Sequence, residues 1–358
     1  MNINLNSVNF SGDGLPSSSQ IIAENYANLP NLGTIEEDMY SVGGVVSDLE
    51  KKFSEILNKE QSIFLPTGTM ANHFAIRSLS GQNSKVIVQE QSHIYQDSGD
   101  TLQTLSGINL IPLGINKPFF TLDEIKEIIQ KNSVSRVPKN IGCISIESPV
   151  RRQKGQIITI QFLEELHDFA SNNGIKLHLD AARLYMMTAA SKISIHEYTK
   201  YFDTVYVSLW KYFGAPWGAI LSGSKEIIEN LFNDRRMFGG SIPNSSLNAA
   251  LILNNVTNFE KKMNQAYDIG LDLFTKLNDS GKFNILIKEN HSNVFEMEFQ
   301  NPDSYKILRS RLINHNIYLP NLDAESYGIV KKSNFVDLRI NISILNKSFD
   351  SILKTFLD

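Results

Sequence analysis

The stretch VSLWKYFGAPWGAIL, residues 207–221, begins as a strand of buried type, meets a single lysine at Lys211 and ends in a second apolar run. Glycine, proline and small residues fill the turn between the two apolar runs. A lysine is costly to bury unless it is paired or used covalently. Lys211 is therefore a candidate reactive residue, against the plainer alternative that its side chain extends to solvent.

The composition excludes several classes of function. Charged residues make up 20% and hydrophobic residues 42% of the 358 positions, which is typical of a globular protein with more than one domain. The net charge of −4 gives no basic surplus for nucleic acid. One cysteine, Cys143, excludes a disulfide within the chain. With no signal-like start and no apolar stretch of about 18 residues, we expect a cytoplasmic protein that has no membrane partner.

The order of the patterns predicts an α/β protein. Near-continuous apolar runs alternate with amphipathic helical segments, as in a largely parallel sheet covered on both faces. After about residue 280, NVFEMEF (293–299) and VDLRINIS (336–343) alternate apolar and polar residues, which is typical of half-exposed antiparallel strands. We predict an N-terminal arm over 1–40, a large α/β domain over 41–258 and a smaller α+β domain over 259–358.

Chemically active side chains follow several of the predicted strands. They are the Thr67–Thr69 turn, His93, Asp180 with Arg183, and Lys211. Each has a plain alternative, namely a helix cap, a loop histidine, a strand-end ion pair and an extended lysine. Because the carboxyl ends of parallel strands meet at one edge of a sheet, we expect these side chains to lie together. Together they provide what pyridoxal phosphate requires: a helix start for the phosphate, a ring for stacking, a carboxylate for the ring nitrogen and an amine for the aldehyde.

The same segments resemble the threonine aldolase and β-eliminating lyase family of fold-type-I pyridoxal-phosphate enzymes, over about residues 40–343. Five segments in the family's order carry the resemblance: LEKKFSEILNKEQSIFLPTGTMAN (49–72), VIVQEQSHIYQ (86–96), KLHLDAARLY (176–185), SLWKYFGAPWGAILSG (208–223) and DLRIN (337–341). The resemblance implies an aspartate-aminotransferase-like large domain with a mostly parallel seven-stranded sheet, a smaller C-terminal domain, and a homodimer or homotetramer acting on a small amino-acid substrate.

The resemblance also implies roles for individual residues. Lys211 is the Schiff-base lysine and His93 stacks on the cofactor and is the candidate base, while the other implied cofactor contacts are Gly68, Thr69, Asp180 and Ser208. The implied substrate contacts are Arg183, Arg339 and Tyr40. Strand alternation alone places Arg339 on a polar face, where a solvated arginine is the plainer alternative. The implied reaction is cleavage of a β-hydroxy-α-amino acid to glycine and an aldehyde.

The chain departs from the family pattern in ways that bear on the reaction. Val150 stands where threonine aldolases have a second active-site histidine, and Arg151 and Arg152 follow it, at least one of them expected at the surface. The loop 239–244 lacks the family's arginine, for which Arg235 or Arg236 is the candidate substitute. In FSGDG (10–14), either Ser11 or Gly12 takes the place of the family's serine.

These departures keep other pyridoxal-phosphate reactions open, namely β-elimination, racemisation, transaldol transfer and transamination. If Arg151 or Arg152 enters the pocket, an acidic substrate such as 3-hydroxyaspartate gains a binding partner. A non-catalytic scaffold is the alternative from another class. The retained lysine, aspartate and two arginines argue against a scaffold.

Overall fold

The computed structural model describes residues 4–14, 18–30, 32–322 and 334–358, and its central element is a seven-stranded sheet. The strands are β1 (Val8–Asn9), β2 (Gln61–Leu65), β3 (Lys85–Gln89), β4 (Asn109–Leu113), β5 (Ile141–Glu147), β6 (Lys176–Asp180), β7 (Thr204–Ser208), β8 (Ala219–Gly223), β9 (Asn284–Leu286), β10 (Val294–Glu298), β11 (Ile317–Tyr318) and β12 (Phe335–Arg339). The helices are α1 (Ser19–Ala27), α2 (Gly44–Leu57), α3 (Gly68–Ser80), α4 (His93–Gln96), α5 (Thr101–Ser106), α6 (Leu122–Ser133), α7 (Ile160–Asn172), α8 (Leu184–Ser191), α9 (Ile195–Thr199), α10 (Lys225–Met237), α11 (Ser246–Val256), α12 (Phe259–Asp279), α13 (Pro302–Asn314) and α14 (Phe349–Leu357).

The central sheet has the strand order β2-β8-β7-β6-β5-β3-β4. Strands β4, β3, β5, β6 and β7 pair in parallel, whereas β8 runs antiparallel to both of its neighbours. The α/β class and the mostly parallel seven-stranded sheet predicted from the sequence are therefore confirmed.

The apolar runs form strands because both faces of this sheet are covered. In β2, Phe64 packs into one hydrophobic cluster while Ile63 and Leu65 pack into another. In β3, Ile87 and Val86 divide between two clusters in the same way. Side chains of a strand alternate between faces, so a sheet buried on both sides needs apolar residues at nearly every position.

A second sheet lies in the C-terminal part of the chain, where β12, β10 and β9 pair antiparallel. Val336 and Leu338 of β12 are buried, whereas Asp337 and Arg339 are only partly buried, as the alternation predicts. The N-terminal segment joins this part: β1 pairs in parallel with β11, and the Phe10 carbonyl accepts a hydrogen bond from the Arg339 amide at 2.7 Å. The division at residues 40 and 258 stays a prediction.

Among the helices within the described ranges, none is both long enough and apolar enough to cross a lipid bilayer.

Candidate active site

A cavity of about 520 Å³ lies where β5, β6 and β7 end and α3 and α4 begin. The residues that line it are Thr67, Gly68, Thr69, His93, Asp97, Glu147, Arg151, Asp180, Ala182, Arg183, Tyr206, Trp210 and Lys211. The structure thus brings six predicted site residues together around one cavity: Gly68, Thr69, His93, Asp180, Arg183 and Lys211. The other three, Ser208, Arg339 and Tyr40, do not line it.

The start of α3 forms one wall of the cavity. Thr67 caps the helix, its Oγ1 accepting a hydrogen bond from the Met70 amide at 3.2 Å. The amides of Gly68 and Thr69 meet no acceptor within the described residues. Free amides at a helix N-terminus form a site for an anion such as a phosphate.

Lys211 lies three residues beyond the end of β7 and reaches the same cavity. Burial, followed by the charge of Arg183, lowers the pKa of its amine to about 8, although Asp180, Asp13 and Glu147 oppose this shift. The N-terminal segment packs directly on its backbone, because a Cβ on Gly14 would lie 2.3 Å from the Lys211 carbonyl oxygen. Lys211 is therefore a partly buried lysine with an unusually accessible neutral form.

Asp180 ends β6 and is held by a chain of buried hydrogen bonds. Its Oδ2 accepts from Nδ2 of Asn72 at 2.7 Å, and its Oδ1 accepts from the Ala182 amide at 3.1 Å. Oδ1 of Asn72 lies 2.9 Å from Nε2 of His178, whose Nδ1 lies 2.9 Å from Oγ1 of Thr204. Burial lowers the pKa of His178 to about 4, so the ring is neutral. Sequence reasoning missed Asn72, His178 and Thr204, although His178 stands two residues before Asp180 on the same face of β6.

Asp13, from the N-terminal segment, holds both arginines that were predicted to bind the substrate carboxylate. Nε of Arg183 donates to Oδ2 of Asp13 at 2.8 Å, and Nη2 of Arg183 lies 2.7 Å from the same oxygen. Nε of Arg339 lies 3.7 Å from Oδ1 of Asp13. Burial alone would raise the pKa of Asp13, but Arg183 and Arg339 outweigh it and hold that pKa well below its usual range. Arg339 also donates to the Ser11 carbonyl at 3.0 Å, so it is not the solvated arginine of the plainer alternative. Sequence reasoning considered Ser11 and Gly12 but missed the acid beside them.

The loop after β5 departs from the sequence expectation. Arg151 and Arg152 both bind Asp97, and their side chains are only 20% and 12% exposed, so the surface position expected for at least one of them is wrong. Val150 is fully buried and does not line the cavity. Glu147 lines the cavity and accepts hydrogen bonds from the backbone amides of His93 and Arg151. Burial and then the charge of Asp180 raise its pKa.

Four further residues named from the sequence lie outside the cavity. Ser208 is fully buried at the end of β7. Tyr40 is 44% exposed, with a positive φ of 55° and its ring 4.4 Å below the Arg236 guanidinium. Arg235 is buried and donates to the carbonyls of Phe64 and Ser41. Neither Arg235 nor Arg236 lines the cavity of its own chain, and the replacement of the arginine missing from the loop 239–244 by one of them stays a prediction.

Comparison with known proteins matches the chain to one family model and to several relatives. The model of a family described as beta-eliminating lyase matches residues 32–299. A low-specificity L-threonine aldolase of Candida albicans is 28% identical over 66% of this chain and 64% of its own length. Alanine racemase TOXG of Cochliobolus carbonum is 28% identical over 58% of this chain and 53% of its own length.

Similarity extends to solved structures. A Listeria monocytogenes protein, solved under a provisional L-allo-threonine aldolase name, superimposes with a TM-score of 0.81 at 25% identity. That alignment covers 98% of this chain and 94% of the Listeria protein. By contrast, the matched region spans less than two thirds of either curated relative.

Proposed function

The chain belongs to the beta-eliminating lyase family, and on that premise we propose that it is a pyridoxal-phosphate-dependent lyase that cleaves a β-hydroxy-α-amino acid to glycine and an aldehyde. One observation carries the proposal. Lys211, Asp180 and the free amides at the start of α3 converge on a single cavity, although they come from three separate segments of the chain.

The chemistry of these groups fits the cofactor. The amides of Gly68 and Thr69 would hold the phosphate, with Ser208 at the adjoining strand end, and His93 would lie over the ring. Asp180 would hold the ring nitrogen and Lys211 the aldehyde. When bound, pyridoxal phosphate withdraws electrons from the substrate's Cα and so weakens the bonds at that carbon.

The environment of Lys211 keeps its amine ready for a carbonyl group. With a pKa of about 8, roughly a tenth of the amine is neutral at pH 7, against well under about one part in a thousand for an ordinary lysine. Asp180 is suited to hold the ring nitrogen, because two N–H groups already donate to its oxygens and fix the orientation of the carboxyl group.

Arg183 and Arg339 are proposed to bind the substrate's α-carboxylate. Together with Asp13 they carry one net positive charge, so an incoming carboxylate finds a complementary site while Asp13 keeps both guanidinium groups oriented. His93 is proposed to take the proton of the β-hydroxyl group, directly or through one water, because it is the histidine among the residues that line the cavity.

The proposal is tested with a panel of threonine, allo-threonine, phenylserine and 3-hydroxyaspartate incubated with the holoenzyme. We expect glycine and an aldehyde to appear in equal amounts from at least one of them. Ammonia and a keto acid instead of an aldehyde would show β-elimination and overturn the aldolase proposal.

Racemisation is a second candidate, favoured by the relative named an alanine racemase and by Val150 in place of the second aldolase histidine. Polarimetry of alanine incubated with the enzyme distinguishes it from the lyase reaction. Loss of optical rotation without glycine release would favour the racemase.

A second copy of the chain is the proposed partner, in a homodimer or a homotetramer. Tyr40 is exposed outside its own cavity and contacts Arg236, and the exposed apolar side chains of Met39, Val42 and Met237 belong to residues within two positions of this pair. Exposed apolar groups beside a site are typical of an interface, and at a two-fold axis Tyr40 would face the other copy. A monomeric mass by light scattering at micromolar concentration would contradict this proposal.

Gly68→Ala is expected to weaken retention of pyridoxal phosphate by about tenfold or more. A Cβ at this position would lie 1.9 Å from the hydroxyl oxygen of the buried Tyr206, so the helix start must shift and its amides move away from the phosphate. The measurement is the dissociation constant of the cofactor by absorbance titration. Gly33→Ala is the matched control because its Cβ would meet no atom within 4 Å. Equal retention in both variants would remove the phosphate role from this turn.

A further inference from the structure

Two clusters of the same composition each contribute one arginine, Arg183 or Arg151, to the wall of the active-site cavity. In the first, Arg183 and Arg339 share Asp13, and in the second, Arg151 and Arg152 share Asp97. An arginine is always charged, and one carboxylate offsets only one of the two, so the three side chains of each cluster together carry a net charge of +1. The substrate's α-carboxylate accounts for the first cluster and leaves Arg151 of the second cluster without an assigned function.

The second cluster is built as a rigid unit. Arg152 donates to Oδ1 of Asp97 from Nη2 at 2.7 Å and to Oδ2 from Nε at 3.3 Å, and Nη2 of Arg151 donates to the same Oδ2. Burial would raise the pKa of Asp97, but hydrogen bonds from Arg152 and Arg151 hold it below its usual range. Asp97 therefore stays ionised and fixes the Arg151 guanidinium in place.

Arg151 is the arginine of this cluster that faces the cavity. It lines the cavity wall and Arg152 does not. Within the described residues its guanidinium bonds to Asp97 through Nη2 alone, so the donors on Nε and Nη1 remain for a ligand. Glu147, the acid nearest in sequence, does not neutralise it by contact, because its two oxygens accept the amides of His93 and Arg151.

The position of the cluster indicates which part of a substrate it meets. Nδ1 of His93, the proposed base at the β-hydroxyl group, lies 3.4 Å from the same Asp97 oxygen that binds Arg151. The guanidinium is therefore a near neighbour of the group that acts at the β-carbon. Val150, beside it, is buried and offers the substrate no polar group.

We infer that Arg151, oriented by Asp97 and Arg152, binds an anionic group on the substrate's β-carbon, so that the preferred substrate is a β-hydroxy-α-amino dicarboxylic acid such as 3-hydroxyaspartate. This inference rests on the proposed function. Cleavage breaks the Cα–Cβ bond, whose electron pair stays with Cα. The hydroxyl proton passes to His93, Cα gains a proton, and the products are glycine and glyoxylate without any oxidant or reductant.

The test compares the holoenzyme with its Arg151→Met and Arg151→Lys variants. For Arg151→Met we expect the ratio of kcat/KM for 3-hydroxyaspartate to that for threonine to fall about 10- to 100-fold, because a charge-assisted hydrogen bond is lost. Most of the loss is expected in KM, and Arg151→Lys should restore part of it. Arg136→Met, at an exposed arginine away from the cavity, is the control and should leave the ratio unchanged.

A binding experiment separates this inference from the proposed function. Aspartate carries the same two carboxylates but no β-hydroxyl group, and its binding is followed by the change in cofactor absorbance, with alanine for comparison. We expect aspartate to bind at least about tenfold more tightly than alanine, and Arg151→Met to abolish the difference. If no β-hydroxy amino acid gives glycine, the lyase proposal fails while an Arg151-dependent preference for aspartate still supports the inference.

The inference is overturned if the wild-type enzyme binds aspartate no more tightly than alanine, a result that does not depend on whether any variant folds. It is also overturned if folded Arg151→Met keeps the wild-type substrate ratio. In either case the cluster is only a structural link between α4 and the loop after β5.

Discussion

Replacing Lys211 with alanine is expected to abolish the visible absorbance of the purified enzyme and to lower turnover at least about a thousandfold. Lys211 is the lysine among the residues that line the cavity. Its side chain would supply both the covalent attachment of the cofactor and a group for proton transfer. Proton transfer by a positioned side chain contributes about 10²- to 10⁴-fold on its own. The measurements are the absorbance spectrum after incubation with pyridoxal phosphate and the initial rate of glycine release.

The pH dependence of cofactor capture provides a second check on Lys211. The folded pKa of about 8 lies below that of an ordinary lysine, so the neutral amine increases as the pH rises through 8 and is nearly complete by about pH 9. The rate at which the apoprotein gains absorbance should rise over the same range.

Lys225→Ala, at the exposed start of α10, is the matched control for the substitution of Lys211. A Lys211→Ala protein that keeps both colour and turnover would contradict the assignment.

Much of this site follows from sequence because the topology does the positioning. Parallel strands end at the same edge of the sheet, so Asp180 and Lys211 line one cavity although neither sequence segment by itself indicates the other. The same rule brought Thr67–Thr69 and His93 to the cavity. For these residues a periodic pattern that marks where a strand ends was sufficient, and the structure places all of them at the cavity wall.

The residues that sequence reasoning missed are partners rather than strand-end groups. Asp13 pairs with Arg183 across 170 positions, and Asn72 pairs with Asp180 across 108. Such pairings depend on which elements pack together, and hydrophobic periodicity carries no information about that. Arg151 shows the same limit, since the sequence left it open between the pocket and the surface, and only the packing of α4 reveals the carboxylate of Asp97 that it binds.

Substitution of Asn72 is expected to have the second large effect on turnover, because the hydrogen bonds around Asn72 have a fixed direction. The carboxylate of Asp180 can only accept, so Nδ2 of Asn72 faces it and Oδ1 faces His178. Nε2 of His178 then carries the proton, and Nδ1 accepts from the hydroxyl of Thr204. Each donor in this series of hydrogen bonds therefore points toward Asp180. The four residues that form the series are 4% exposed or less.

Asn72→Asp is expected to lower turnover about 100-fold or more and to shift the pH at which the cofactor absorbance changes. The substitution places a second carboxylate where Nδ2 lay 2.7 Å from Asp180, and two adjacent carboxylates cannot both ionise in a buried site. Asn72→Leu, which removes the donor without adding charge, should lose about 10- to 100-fold, since an unpaired buried polar group costs about 1–3 kcal/mol.

The difference between the two variants is what identifies a positioning role. A merely structural asparagine would give similar losses in both, with the midpoint of the absorbance change unmoved, whereas a role through Asp180 makes the aspartate variant the worse one and moves its midpoint. Asn230→Leu, at an exposed asparagine on α10, controls for the loss of an amide elsewhere. If both variants fold and keep the wild-type midpoint, the orientation of Asp180 does not depend on Asn72, and the hydrogen-bond chain from Thr204 contributes to stability alone.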